Sequence, residues 1–232
     1  MVSKMFPFIT CTWNPLGGAC QYNCKYCWAK ALIAQNKWVK YAGEARLCSG
    51  ELEREFKDGD FVFVQDMTDL FGPWVSKVDI LAVLDVIRNT PKTDFLLLTK
   101  NPKRYLEFVD VLPSNAVLGC TVETNVYFES GISYAPSPFS RIDAMTMLAD
   151  MVGNRLFYSV EPILEHSHPS FAKLLTRRRV WAVAVGYDNY GNKLPEPPLE
   201  KTMQLIELLE KARVKAFRKS LREAWYSKEV RS

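Results

Sequence analysis

The feature that most constrains this chain is a repeated rhythm: a short apolar run, a polar turn, then an amphipathic stretch. The runs are Phe8–Trp13, Phe61–Gln65, Phe95–Thr99, Val117–Val122, Leu156–Val160 and Val180–Val185, with a weaker seventh at Val214–Phe217. Segments such as FVFV, FLLL and WAVAV are apolar at successive positions, as strands covered on both faces of a parallel sheet must be. Between them, three stretches have helical spacing: Trp74–Arg88, Ser140–Met151 and Pro198–Arg213. They place Val78, Leu81, Leu84 and Ile87, then Ile142, Met145 and Leu148, then Met203, Ile206 and Leu209, on single stripes. Asn101-Pro102-Lys103 opens a shorter helix through Val109. Strands alternating with helices specify an α/β chain of repeated βα units. Six or seven such units fit a single partial (β/α)6 barrel with an extra C-terminal strand. One domain over residues 1–232 accommodates it, with no linker, low-complexity tract or longer repeat in between.

Nearly half of the residues are apolar, enough for one sizeable core, and the formal net charge is only +4. That balance is compatible with acidic partners without demanding them. No apolar run reaches the roughly 18–20 residues that span a bilayer. The first thirteen residues lack the layout of a cleaved signal peptide. The expectation is a cytoplasmic protein with no membrane partner.

Three of the six cysteines, Cys20, Cys24 and Cys27, fall within eight residues straight after the first strand. Disulfide frameworks belong to small secreted domains, whereas clustered cysteines in a chain of this kind point to metal. Thiolates are soft ligands that suit iron–sulfur clusters or zinc. A [4Fe–4S] cube with three protein ligands leaves one iron open. Zinc would need Cys11 or Cys48 as a fourth ligand, because the only histidines are His166 and His168 and no second ligand pair exists.

Most strand runs end in a polar residue: Thr12, Asp66, Lys100, Glu123 and Glu161, with Asp188 shortly after the sixth. In a βα barrel these positions converge on the face where active sites sit. Singly each is an ordinary solvated strand end; six around one cysteine loop describe a site. Two long irregular stretches, residues 125–139 and 187–197, follow strands four and six on the same face. Their aromatics, Tyr127, Phe128, Tyr134 and Phe139 among them, suit either ligand contact or anchoring of the loop itself.

The spacing Cys20-x3-Cys24-x2-Cys27, with Tyr26 before the last cysteine and strand one before the loop, resembles the signature of the radical S-adenosylmethionine (SAM) superfamily. Further segments resemble one branch, the phage-type radical SAM proteins of unknown function: Thr12-Trp13-Asn14-Pro15, Cys27-Trp28-Ala29, residues 67–71 (MTDLF), Leu97-Leu98-Thr99-Lys100, residues 119–123 (GCTVE) and Ser159-Val160-Glu161-Pro162. The resemblance implies a radical SAM barrel, with a [4Fe–4S] cluster on Cys20, Cys24 and Cys27 and SAM as cofactors. It also implies reductive cleavage of SAM to a 5′-deoxyadenosyl radical that abstracts hydrogen from a substrate, and a flavodoxin- or ferredoxin-like electron donor. The family's Gly-Gly-Glu segment after strand two is replaced here by Gln65-Asp66-Met67-Thr68-Asp69. Residues 185–189 (VGYDN) likewise stand where the branch has a Gly-Gly-Glu-Ser-Gly-like stretch.

On that resemblance the cofactor-binding set is Tyr26, Asp66, Thr68, Asp69, Lys100, Thr121, Glu123, Glu161 and Gly186. Asp66, Thr68 and Asp69 accept from the SAM ammonium, Glu123 accepts from ribose hydroxyls beside Thr121, and Lys100 meets a carboxylate. Glu161 binds SAM or substrate, and Tyr26 and Gly186 contact adenine. Cys11 and Cys120 are read as core packing. A nucleic acid or nucleotide is the substrate class to test first, on the Arg177-Arg178-Arg179 run and the basic set Lys211, Arg213, Lys215, Arg218, Lys219 and Arg222, though a solvated surface fits the same residues. Two other functions remain open: a metal-stabilised nucleic-acid-binding module without catalysis, and an activase or maturase of a partner protein.

Overall fold

A computed structural model describes residues 5–128 and 131–227. In chain order the elements are β1 (Cys11–Trp13), β2 (Leu16–Gly17), α1 (Trp28–Asn36), β3 (Arg46–Leu47), β4 (Phe61–Val64), α2 (Lys77–Arg88), β5 (Asp94–Thr99), β6 (Ala116–Thr121), α3 (Pro138–Ala149), β7 (Arg155–Val160), α4 (Ser170–Leu175), β8 (Ala182–Val185), α5 (Leu199–Lys211) and β9 (Lys215–Arg218). A 3₁₀ helix, Pro102–Val111, links β5 to β6.

Seven strands form one parallel sheet in the order β1-β4-β5-β6-β7-β8-β9, a half-barrel with helices between strands. Every neighbouring pair is parallel, and all seven apolar runs lie in it, including the weak seventh as β9 beside β8. β2 and β3 pair separately and antiparallel. Successive strand residues point to opposite faces. Val62, Val64, Phe95, Leu97, Leu118, Leu156, Tyr158 and Val183 face the helices, packing with Ile80, Leu84, Ile142, Met145 and Leu205. Cys120 belongs to this buried layer, and Cys11 packs at its edge.

The alternate residues Phe63, Leu96, Phe157, Ala182 and Ala184 line the concave face. There they enclose Phe6 and Ile9 from the segment before β1. Phe8 completes the plug, its ring 4.8 Å from Phe61, 5.1 Å from Trp181 and 5.0 Å from Phe217. The first apolar run therefore divides its labour. Its early residues fill the amino-terminal end of the barrel, and only its last three form a strand.

Helix positions correct several expectations. α2 begins at Lys77, with the Ser76 hydroxyl accepting from Asp79 N. It buries Ile80, Val83, Leu84 and Ile87, whereas Val78 and Leu81 are exposed. Two apolar stripes were available, and the sheet takes the one centred on Val83. α3 buries Ile142, Met145 and Leu148 as their spacing predicts. α5 buries Leu205, Ile206 and Leu209 together with Thr202, leaving Met203 only partly covered.

Candidate active site

The carboxyl ends of the strands open into a cavity of about 600 Å³. One wall is the cysteine loop, where Cys20, Cys24 and Cys27 are half-buried, free of disulfides, and all line the cavity. The loop follows the β2 residues Leu16 and Gly17 rather than β1 directly. Cys27 caps α1, its Sγ accepting from Lys30 N at 3.4 Å, and Cys24 Sγ lies 3.2 Å from Ser133 Oγ. Burial pushes the Cys20 thiol up to about 12. Such a thiol ionises when a metal takes the sulfur. Among the described residues, no group of three or more His, Cys, Asp or Glu side chains converges as if on a metal ion. Cys11 and Cys48, the fourth ligands that zinc would require, are not cavity residues. The soft donor set suits a cluster held by three thiolates.

Alternation along the strands supplies the floor and the opposite wall. Leu98, Lys100, Thr121, Ser159 and Glu161 continue the concave face beyond Leu96 and Phe157, and all line the cavity. Lys219, just past β9, joins them, with its Nζ 3.5 Å from Glu161 Oε2. Burial raises the Glu161 carboxyl and Lys219 opposes it. Gly186 does not line the cavity, and its place has a packing reason: a Cβ there would stand 2.7 Å from Lys219 Cβ.

The segment after β4 lines a third side with Gln65, Asp66, Met67, Thr68 and Asp69. Gln65, buried and at a φ of +60°, donates to Thr68 Oγ1 at 2.6 Å and exchanges hydrogen bonds with the Leu16 backbone. Asp66 accepts from Asn14 Nδ2 at 2.6 Å. Asp69 accepts from Thr99 Oγ1, Lys100 N and Phe71 N at 2.7–2.9 Å, tying this segment to the end of β5. Burial raises both carboxyls. Asp69 is thus largely consumed by the fold, and Asp66 is the acid more available to a cationic ligand.

Glu123 lies deeper than its strand-end position suggests. It is 3 % exposed and is not a cavity residue. One carboxylate oxygen accepts from the Tyr26 hydroxyl and the other from Arg141 Nη1 at 2.8 Å. Burial works to raise this carboxyl, but Arg141, then Lys100 and the Tyr26 hydroxyl, outweigh it and bring it down to about 2. Tyr26, pushed well up by burial and then by the Glu123 charge, keeps its proton. Lys100 Nζ sits 5.3 Å from the Tyr26 ring centroid, a cation–π contact on the cavity side.

The first long loop borders the cysteine loop without lining the cavity, whereas the second lines it. Phe128 packs beside Cys24 and Tyr26, while Tyr127 and Tyr134 are exposed, so the first loop is anchored through one aromatic only. In the second, Asp188 accepts from Asn192 N and Nδ2, and Asn189 and Tyr190 reach the cavity rim. The basic runs are mostly internally paired. Arg178 forks onto Asp150, Arg177 meets Asp143, Arg218 meets Glu210 and Arg222 meets Glu196. Sequence reasoning missed Gln65, Arg141, Ser159 and the concave-face aromatics. Ser159 was accessible by counting two back from Glu161, but Arg141 carried no local signal.

A half-barrel of this strand order, with its cavity at the carboxyl ends of the strands, matches the radical SAM fold. A spore photoproduct lyase variant with bound AdoMet and dinucleoside spore photoproduct superposes with a TM-score of 0.65 at 12% identity, over 91% of this chain and 76% of that one. Streptococcus suis SuiB bound to S-adenosylmethionine superposes with a TM-score of 0.60 at 12% identity, over 92% of this chain and 50% of that one. The chain itself belongs to the family described as "Protein of unknown function" (DUF5131), whose match covers residues 4–186. No curated protein matches the sequence.

Proposed function

We propose that this protein is a radical SAM enzyme acting on a nucleic acid or nucleotide. One observation carries the reading: three free, half-buried thiols from one loop share a cavity with Lys100, Thr121, Ser159 and Glu161 at the ends of parallel strands. Cys20, Cys24 and Cys27 would hold a [4Fe–4S] cluster, and Asp66, Thr68, Lys100, Thr121 and Glu161 would hold SAM. When bound, these groups supply one-electron cleavage of the SAM sulfonium to methionine and a 5′-deoxyadenosyl radical, which takes a hydrogen atom from substrate.

The chain's own residues bind, orient and exclude. Asp66 offers a carboxylate to the SAM ammonium, and Lys100 offers a cation to its carboxylate. The Thr121 and Ser159 hydroxyls donate or accept at ribose. The Tyr26 ring, with Lys100 Nζ 5.3 Å from its centroid, lines the cavity where adenine would lie. The aromatic plug keeps water from entering through the amino-terminal end of the barrel.

The dinucleoside bound by spore photoproduct lyase supports nucleic acid as the substrate class. The exposed Tyr127, Tyr134 and Tyr190 rings offer stacking surfaces. A flavodoxin- or ferredoxin-like protein would supply the electron. Among the described residues no helix is long and apolar enough to cross a membrane. Anaerobic reconstitution should give about four irons per chain, and a reductant should release 5′-deoxyadenosine from SAM, with turnover rising when the right nucleic acid is added. A chain that takes up zinc alone and never cleaves SAM would overturn the reading.

A further inference from the structure

The cysteine loop is fastened at its centre by a buried charged set. Tyr26 stands between Cys24 and Cys27, and its hydroxyl donates to Glu123 past the end of β6. Glu123 is held in turn by Arg141 of α3, whose Nη1 also donates to Thr121 O at 2.9 Å and whose Nε donates to Pro136 O at 2.7 Å. Arg141 and Glu123 are each 3 % exposed. A buried ion pair survives only when its remaining donors and acceptors are satisfied. Here the guanidinium is fixed by two backbone carbonyls and a carboxylate, leaving it one preferred orientation. Glu123 has one contact to each side, so a displacement of either neighbour is felt by the other.

We infer that Glu123 and Arg141 are positioning residues for the cysteine loop, acting through the Tyr26 hydroxyl, and that Glu123 is not a ligand of the SAM ribose. This rests on the reading that the loop carries a cluster. Three observations support it: Glu123 lies outside the cavity, both of its oxygens are engaged, and the Tyr26 hydroxyl ties the stretch between Cys24 and Cys27 to the buried Glu123–Arg141 pair. Other ties run from Lys25 N to Ile132 O, Tyr134 N to Tyr22 O, and Cys24 to Ser133, and the Tyr22 ring packs edge-on to Trp74 at 4.7 Å near Cys20. Without the Tyr26 tie, the stretch between Cys24 and Cys27 would be held by its contacts to the loop of residues 125–139 and by the start of α1.

The test uses the full chain with Tyr26→Phe and Glu123→Gln. Tyr26→Phe keeps the aromatic face and the Glu123–Arg141 pair, so it folds even if Glu123→Gln, which leaves Arg141 without its counter-charge, does not. Before reconstitution, amide exchange across residues 20–27 should rise about tenfold or more in Tyr26→Phe, the scale of one hydrogen bond to a charged group. Exchange in β5 and β6 should stay unchanged. After reconstitution, the electron paramagnetic resonance spectrum of the reduced cluster without SAM should differ from wild type, because the sulfurs sit differently. SAM affinity should fall less than threefold. Unchanged exchange in residues 20–27 overturns the inference. So does an unaltered spectrum in Tyr26→Phe alongside a large loss of SAM affinity in Glu123→Gln, which would return Glu123 to the ribose. If wild-type protein takes up no iron, the enzymatic reading fails, while the exchange measurement still reports whether the anchor exists.

Discussion

The two ends of the barrel interior are built from the same strands, yet they have opposite chemistry. At the amino-terminal end, Phe6, Phe8, Phe61, Phe63, Phe157, Trp181 and Phe217 interlock edge to face, tilted and stacked, with centroids 4.8–6.3 Å apart. Two to four residues further along the strands, on the same face, the side chains become Lys100, Thr121, Ser159, Glu161 and Lys219. The pleat decides which face a residue joins, and distance along the strand decides whether it is packing or chemistry. A single register therefore sets both the depth of the plug and the floor of the cavity.

That division can be broken at either end. The largest effect is expected at the cysteine loop. Replacing Cys20, Cys24 and Cys27 together by Ala should abolish iron uptake and SAM cleavage completely, while the far-ultraviolet circular dichroism of the barrel persists. Next, Phe157→Ala should cost about 3–5 kcal/mol of stability, read as a lower urea midpoint. SAM affinity at low temperature should fall only modestly, through Phe6, which packs on Phe157 and also lines the cavity. Gly186→Ala tests the boundary between the layers. The new methyl must displace Lys219, and overpacking of this kind costs about 1–3 kcal/mol, with a parallel change in SAM or substrate affinity as Glu161 loses its partner.

The smallest effect concerns His166, behind the second long loop. Burial, followed by the Lys201 charge, lowers its pKa from 6.5 to about 4, against the opposing pull of Glu165. A histidine held neutral in the folded chain contributes stability that is complete above its unfolded pKa. That stability falls as pH drops from about 6.5 toward 4, where the folded form also takes the proton. Melting temperature should decline through that window in wild type and flatten in His166→Gln. An equal slope in both would place the acid sensitivity elsewhere.

Much of this organisation was legible in the sequence, for identifiable reasons. Buried parallel strands must be apolar at successive positions, so all seven runs could be read, and the polar residues closing most of them marked the cavity end. The β2–β3 pair was not legible, because two-residue strands leave no periodicity, and the six-residue α4 is scarcely longer. α2 carried two apolar stripes, and only the sheet could choose between them. Glu123 was visible as a strand end. Its withdrawal from the cavity depends on Arg141, eighteen residues on and beyond a loop, and no local pattern could reveal that pairing. The basic runs were read by charge alone, whereas their acids, such as Asp150 and Glu196, come from distant elements.

β1 and β9 are the two edges of the sheet, and Phe8 spans the gap between them only by wedging its ring between Phe61 and Phe217 at the amino-terminal end. In a closed barrel the number of strands fixes the girth of whatever can enter. An unclosed one sets no such gauge. Admission to this cavity is governed by the loops around the seam, and loops change length and sequence far more readily than strands change number. Selectivity in this architecture can therefore drift between relatives while the apparatus beneath it stays the same.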